Sequence, residues 1–268
     1  MVIAMVEHPK FKDYDLSSLR VIVAAGAAFH HHEAIKAEKA LGCVIVPNYG
    51  SVDCGLTIMG NPTDSQEIRL TTVGKPLGRC EVKLIKEDGE IAAPGEEGEI
   101  FVRGRDNVTS YFMDTETNRL AWDEDGWFRM GDIGRLDLEG NLTILGRKKD
   151  VIIRGGQNII PSEVERFLSL HEKVADAAVV GMYDRLMGER VCAYVVPKNG
   201  AEISIDELNL FLKENRVAYY KLLERLEIVA GLPIVGDKVN KKMLVADINQ
   251  KLESEGTIPP KPSVSFPG

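Results

Sequence analysis

The chain has 268 residues, of which 44% are hydrophobic and 28% charged, and its formal net charge is −8. At roughly 150 residues per domain this length predicts about two domains, and the acidic balance disfavours a general binder of nucleic acids or of anionic membranes. No apolar run approaches the ~18 residues that a membrane-spanning helix needs. The first residues lack the basic leader and apolar core of a signal peptide, so we expect a cytoplasmic protein.

The first part of the chain has the alternation of an α/β domain. Residues 20–25 (RVIVAA) predict a buried strand, residues 33–41 a helix, and residues 43–46 a second strand that ends at Pro47. A strand–helix–strand unit of this kind predicts parallel strands, whose carboxyl ends are where ligands bind.

Antiparallel structure is predicted from about Val73 to Arg147. Turn signals at 88–89 and 94–95 separate two strands, and the text DLEGNLTILGR predicts a hairpin around 139–141. We therefore expect a small antiparallel β unit that completes a large α/β domain over residues 1–148.

A compact α+β pattern follows the charged run at 147–150. The helix signals are Pro161, which suits a first helical position, and the capping-box pair Ser204 and Glu207. The predicted order of elements is a strand at 151–153, a turn at 154–158, a helix from 161, strands at 174–181 and 191–197, a helix from 205, a strand at 226–229 and a helix at 241–253. We place a second, small α+β domain at residues 149–268, with the boundary at Lys149.

The four cysteines are widely spaced and form no CxxC pair. They are Cys43, Cys54, Cys80 and Cys192. This pattern favours reduced, mostly buried thiols over disulfides or a metal site.

Four segments combine glycines and charged or aromatic residues at predicted turns, which is typical of phosphate and nucleoside binding. They are Asn48–Asp53, Trp127–Asp132, Gly146–Asn158 and Gly236–Lys242. A carboxylate can hold the vicinal hydroxyls of a ribose, and a loop lysine can reach a phosphate as a point charge. Taken alone, each segment can be an ordinary polar turn or linker, and this simpler interpretation is favoured for the segments at 48–53, 127–132 and 236–242.

Together and in this order, the segments resemble the adenylate-forming acid ligases, which include acyl- and aryl-CoA synthetases and aryl-acid–AMP ligases. The matching text is GEIFVRG at 98–104, WFRMGD at 127–132, GRKKDVIIRGGQNIIPSEVE at 146–165, the run from His171 to Val196, and LPIVGDKVNKK at 232–242. The resemblance covers nearly the whole chain. It extends only to the C-terminal half of these ligases, because no Ser/Thr/Gly-rich phosphate loop ending in lysine is present. It therefore implies a truncated large domain followed by a small mobile domain, inactive in isolation.

The resemblance implies a role for each matching residue. The nucleotide-binding residues would be Gly26, Ala27, Asn48, Tyr49, Gly50, Asp132 and Arg147. Asp53 would hold magnesium, and Lys238 would be the catalytic lysine that contacts the carboxylate and the α-phosphate. Lys149 would be the hinge, and Gly156 would line the channel of the thiol.

Several positions depart from the family pattern. Val52 stands in place of a threonine, Asp53 in place of a glutamate and Met130 in place of a threonine, and Asp237 places an acid directly before Lys238. These departures predict reduced activity even in a complete ligase.

The implied function is part of an ATP-dependent ligase that forms an acyl-adenylate and then a thioester. Its cofactors and partners would be ATP or AMP, magnesium, a small carboxylic acid, and CoA or a carrier-protein phosphopantetheine. One alternative is an aryl-acid–AMP ligase of the 2,3-dihydroxybenzoate type that loads a carrier protein. Another is a non-catalytic AMP-binding protein or partner subunit. The sequence indicates neither the acid nor the oligomeric state.

Overall fold

A computed structural model of the chain describes residues 1–26, 31–105, 107–236 and 238–257. The chain divides into two compact units, residues 1–148 and 149–268. Among the described residues, none of the helices combines the length and the hydropathy that a bilayer-spanning segment requires.

The first unit contains two four-stranded sheets. Its elements are α1 (Val2–Val6), β1 (Val21–Ala24), α2 (His31–Leu41), β2 (Val44–Ser51), β3 (Gly55–Met59), α3 (Gln66–Thr71), β4 (Lys75–Pro76), β5 (Glu81–Ile85), β6 (Glu97–Arg103), α4 (Thr115–Ala121), β7 (Phe128–Leu136) and β8 (Leu142–Arg147).

The first sheet has the order β1-β2-β3-β4. β1 and β2 are parallel, with Val21 opposite Val44 and Ala24 opposite Pro47, which confirms the predicted strand–helix–strand unit. The predicted burial of the first strand is wrong, because Val21 and Val23 are 39% and 54% exposed. The predicted end of the second strand at Pro47 is wrong, because β2 continues to Ser51 and pairs antiparallel with β3. Pro47 has no N–H to donate to β1. Because β1 ends opposite Pro47, few hydrogen bonds between the two strands are lost there. On the other side, the Pro47 carbonyl accepts the Gly60 N–H at 2.9 Å.

A buried ion pair fixes β2 against two helices. The Arg69 guanidinium, on α3, contacts the Glu38 carboxylate, on α2, and also donates to the Ile45 carbonyl at 2.7 Å. Glu38 accepts the Ile45 N–H at 2.8 Å. Burial acts to raise the pKa of Glu38, but hydrogen bonds from Arg69, Gln66 and the Ile45 N–H outweigh it and hold the pKa below its ordinary value of 4.5.

The second sheet has the order β5-β6-β7-β8, with every neighbouring pair antiparallel. This confirms the antiparallel unit expected from the turn signals. Its alternating apolar residues, among them Leu84, Ile100 and Leu142, form one buried cluster.

The second unit is a five-stranded sheet with helices on both faces. Its elements are β9 (Ile152–Arg154), β10 (Gln157–Ile159), α5 (Pro161–Leu168), β11 (Val174–Asp184), β12 (Gly188–Pro197), α6 (Ile205–Glu214), β13 (Arg225–Ile228), β14 (Ile234–Val235), β15 (Lys238–Val239) and α7 (Lys241–Ser254). Successive residues of β11 point to opposite faces, so Val179 packs in the cluster with α5 and α6, whereas Val180 packs in the cluster with α7.

The turn predicted at 154–158 is too long, because β9 includes Arg154 and β10 begins at Gln157, opposite it. The helix signals in this unit are confirmed. Pro161 is the first residue of α5, and the Ser204 hydroxyl accepts the Glu207 N–H at 3.2 Å at the start of α6. All four cysteines are free, and three of them are buried.

Candidate functional site

The carboxyl end of the parallel pair carries the first group of predicted site residues. Asn48 and Tyr49 follow Pro47 on β2, beside the point where β1 ends. Gly26 lies just beyond β1 in an exposed, left-handed conformation (φ 90°) that favours glycine. Ala27 lies outside the described residues.

The second group lies on the antiparallel sheet, where Asp132 of β7 is directly opposite Arg147 of β8. Arg147 Nε lies 3.0 Å from Asp132 Oδ1, and Arg147 Nη1 donates to the Met130 carbonyl at 3.3 Å. Asp132 is only 5% exposed, whereas the Arg147 side chain is 48% exposed. The cross-strand register therefore places a buried carboxylate beside an accessible guanidinium.

A partly buried side-chain hydrogen bond joins Tyr49 of the first sheet to Asp132 of the second. The Tyr49 hydroxyl donates to Asp132 Oδ2 at 2.5 Å, across 83 positions of sequence. Burial raises the pKa of Tyr49 far above its ordinary value, and the adjacent Asp132 charge raises it further. The hydroxyl therefore remains a proton donor throughout the physiological pH range, and Asp132 receives a partner on each carboxylate oxygen.

Asn48 and Gly50 shape the backbone next to Tyr49. The Asn48 amide donates to the Ile58 carbonyl at 3.1 Å, while its buried Oδ1 has no hydrogen-bond partner among the described residues. A β-bulge lies between Tyr49 and Gly50. A Cβ on Gly50 would lie 2.0 Å from the Gly55 carbonyl oxygen, so only glycine fits at this close approach of two strands.

Asp53, the predicted magnesium ligand, lies in the turn between β2 and β3. Ser51 Oγ lies 3.4 Å from Asp53 Oδ2 and accepts the Asp53 N–H at 3.2 Å. Burial raises the pKa of Tyr111, and the charge of Asp53 and a hydrogen bond to it raise that pKa further. The described residues contain no group of three or more histidines, cysteines or carboxylates that could hold a metal ion by themselves.

Sequence reasoning missed Ser51 and Tyr111 as neighbours of Asp53. A serine two residues before an aspartate is a signal for a side-chain-capped turn, and it could have identified Ser51. Nothing in the local sequence identifies Tyr111, which lies 58 positions further along the chain.

Met130, the departure from the family pattern, lies in the core. Its side chain is 7% exposed, and its sulfur lies 3.4 Å from the Cys54 thiol. A methionine here fills the space between the two sheets of the first unit.

The remaining predicted residues belong to the second unit. Lys149 is exposed in a 3₁₀ turn, Lys148–Asp150. Gly156 is exposed and left-handed (φ 82°), with open space around its missing Cβ. Lys238 is exposed on β15 and pairs with Val235 of β14, while Asp237 lies outside the described residues.

Comparison with known proteins identifies the family. The family model described as AMP-binding enzyme matches residues 1–112, and the model of the AMP-binding enzyme C-terminal domain matches residues 163–237. The 2,3-dihydroxybenzoate-AMP ligase of Bacillus subtilis is 37% identical over 240 residues, which is 89% of this chain and 44% of that protein. The mitochondrial medium-chain acyl-CoA ligase ACSF2 of Danio rerio is 36% identical over 91% of this chain and 41% of its own length.

Solved structures give the same result. The amide bond synthetase McbA from Marinactinospora thermotolerans superposes with a TM-score of 0.84 at 31% identity, over 92% of this chain and 50% of that one. The o-succinylbenzoate coenzyme A synthetase MenE from Bacillus subtilis, solved in complex with AMP, has a TM-score of 0.78 at 32% identity, over 91% of this chain and 48% of that one. The chain thus spans about half the length of the relatives it matches. Its two matched regions, its fold and its relatives show that this chain belongs to the adenylate-forming ligase superfamily of AMP-binding enzymes.

Proposed function

We propose that the first unit binds the adenosine part of ATP and AMP, and that the chain serves an ATP-dependent carboxylic acid ligase that forms an acyl-adenylate and then a thioester. The observation that carries this proposal is the cluster of Tyr49, Asp132 and Arg147, in which a buried carboxylate lies between a tyrosine hydroxyl and a half-exposed guanidinium.

The cluster has the chemistry that a nucleoside requires. A carboxylate offers about four acceptor positions, so the two ribose hydroxyls can share Asp132 with Tyr49 and Arg147. The accessible guanidinium supplies donors to the ribose oxygens. The ring of Tyr49 offers a face on which adenine can stack. Asn48 Oδ1, which has no partner among the described residues, is an acceptor suited to the exocyclic amine of adenine.

Asp53 fits a magnesium ion that is held mainly by phosphates. Magnesium commonly takes one or two carboxylates together with substrate phosphates and water, so a single carboxylate on this turn meets the requirement on the protein side. When bound, the ion would offset negative charge on the phosphates. Asp53 would ligate it, and Ser51 would orient Asp53.

In the proposed reaction, a carboxylate oxygen attacks the α-phosphorus of ATP, and the bond to pyrophosphate breaks. Lys238 would contact both the carboxylate and the α-phosphate and offset the negative charge that develops on the transferred group. A thiol sulfur then attacks the acyl carbon, AMP leaves, and the thiol proton is released. Lys149 would act as the hinge between these steps, and Gly156 would leave room for the thiol arm.

The thiol acceptor defines a second candidate function. The two curated relatives above, an aryl-acid–AMP ligase at 37% identity and an acyl-CoA ligase at 36%, favour a carrier protein and CoA about equally. Preformed acyl-adenylate distinguishes them. If the ligase is a CoA synthetase, free CoA releases AMP from the adenylate in the presence of the complete ligase. If it is a carrier-loading ligase, only a phosphopantetheinylated carrier protein does so.

Calorimetric titration of the 268-residue chain with AMP tests nucleotide binding directly. We expect Asp132→Asn to weaken binding about tenfold or more, because it removes the charge that accepts the ribose hydroxyls. Glu139→Gln is the matched control, since it removes one negative charge from an exposed position of the same hairpin and should leave the affinity unchanged. No binding at millimolar AMP, or equal affinities for all three proteins, would refute the proposal.

A further inference from the structure

Lys238 lies on the shortest piece of regular structure in the second unit. β14 and β15 are two residues each, and within the described part of the chain they pair with each other alone, with Ile234 opposite Val239 and Val235 opposite Lys238. A two-stranded hairpin is marginally stable at best in water. The hairpin must therefore be held at its base if Lys238 is to keep a fixed position.

The base of the hairpin leads directly into α7. The Asn240 N–H donates to the Pro233 carbonyl at 2.8 Å and closes the hairpin, and the Asn240 side chain caps the first turn of the helix. The helix then begins with two lysines, Lys241 and Lys242, and its first turn contains no acidic residue. The start of a helix carries a partial positive charge from the helix dipole, so these two lysines by themselves destabilise the first turn of α7.

Glu165, on α5, supplies the missing negative charge from another element. Its Oε1 lies 2.7 Å from Lys241 Nζ, and it also accepts the Val179 N–H of β11 at 2.7 Å. Both side chains are largely buried, with 20% of Lys241 and 17% of Glu165 exposed. This one carboxylate ties the start of α7, three residues after Lys238, to β11, which lies at the edge of the sheet.

We infer that Glu165 and Lys241 are positioning residues, which hold the Lys238 hairpin in place for reaction through an anchor at its base. The inference rests on the proposed role of Lys238, since the anchor matters to catalysis only if that lysine does. The anchor itself is a property of the second unit alone.

The same helix provides a matched control. Glu163 forms an ion pair with Lys221 at 2.5 Å, with 37% and 15% of the two side chains exposed. Lys221 ends the 3₁₀ turn Tyr219–Lys221 rather than the hairpin. Glu163→Gln therefore removes an ion pair of the same kind from α5 without touching the path to Lys238.

Hydrogen–deuterium exchange on the full chain, without nucleotide, tests the anchor. We expect Glu165→Gln and Lys241→Met each to speed exchange of peptides within residues 232–243 about 3- to 10-fold, while peptides from the later turns of α7 are unchanged. Lys241→Arg, which keeps the charge, should restore the wild-type rate, and Glu163→Gln should show the wild-type rate in the hairpin.

Three results of this experiment would overturn the inference. If only the helix dipole matters, Lys241→Met slows exchange at the start of α7 rather than speeding it, and the inference is wrong. Faster exchange throughout the unit, or the same effect with Glu163→Gln, would also overturn it. Failure of the proposed function would appear instead as absence of AMP binding, which leaves these exchange rates unaffected.

Discussion

Replacing Tyr49 by phenylalanine removes one hydroxyl from the centre of the proposed nucleotide site and keeps the ring. The hydroxyl donates to Asp132 at 2.5 Å, and that carboxylate is 5% exposed. The lost donor leaves this largely buried carboxylate with one hydrogen-bond partner fewer. Hydrogen bonds to charged groups contribute about 1.5–3 kcal/mol, so we expect Tyr49→Phe to lower the free energy of unfolding of the first unit by that amount. Tyr14→Phe is the control, because Tyr14 is 67% exposed in the same unit and its replacement should cost less than about 0.5 kcal/mol.

Tryptophan fluorescence in urea measures this unit selectively. Both tryptophans, Trp122 and Trp127, lie in the first unit. A double-mutant cycle between Tyr49→Phe and Asp132→Ala should give a coupling energy of about 1.5–3 kcal/mol, because the two side chains stabilise the fold through each other. A coupling below about 0.5 kcal/mol, or a Tyr49→Phe variant as stable as Tyr14→Phe, would refute the argument that this hydrogen bond joins the two sheets.

Three further predictions concern the first unit and the thiols. Glu38→Gln should flatten the pH dependence of the free energy of unfolding below about pH 4.5. Because the pKa of Glu38 is lowered in the folded state, this carboxylate stabilises the fold above that pH, and its contribution is lost as the pH falls. If urea melts give the same pH dependence for the variant and the wild type, the prediction is wrong. Gly50→Ala should unfold the first unit, because its Cβ would lie 2.0 Å from a backbone oxygen, whereas Gly42→Ala, strained only by its φ of 66°, should cost about 1 kcal/mol in the same melts. Burial raises the pKa of Cys80 to about 11 and that of Cys192 to about 12. Both thiols should therefore react slowly with a disulfide reagent at pH 8 in the folded protein and quickly in urea. Fast reaction of the folded protein would contradict this, because it would show that the thiols are accessible.

Much of the fold could be predicted from local signals in the sequence. The capping pair at Ser204 and Glu207, the proline at the start of α5 and the apolar periodicity all act over a few residues, and each is confirmed. The error at Pro47 has a non-local cause. Proline breaks a strand only where its missing N–H is needed, and the sequence does not reveal that β1 ends opposite it.

The candidate site was predictable only as separate motifs. Family resemblance supplied Tyr49, Asp132 and Arg147 individually, but the sequence contains no signal for the hydrogen bond that joins Tyr49 to Asp132 across 83 positions. The pairing of Asp132 with Arg147 depends on a register shift next to them in the β7–β8 ladder, which no hairpin rule fixes in advance. Likewise, Glu165 meets Lys241 only because α5 and α7 both pack against β11.

The most direct test of nucleotide binding compares AMP with its 2′,3′-dideoxy analogue on the same chain by calorimetry. The proposed site holds the ribose hydroxyls with Asp132 and Arg147, so removing both hydroxyls should weaken binding about tenfold or more in the wild type. In Asp132→Asn the two ligands should bind with nearly equal affinity. Equal affinities in the wild type would contradict the proposal that this buried carboxylate holds a ribose.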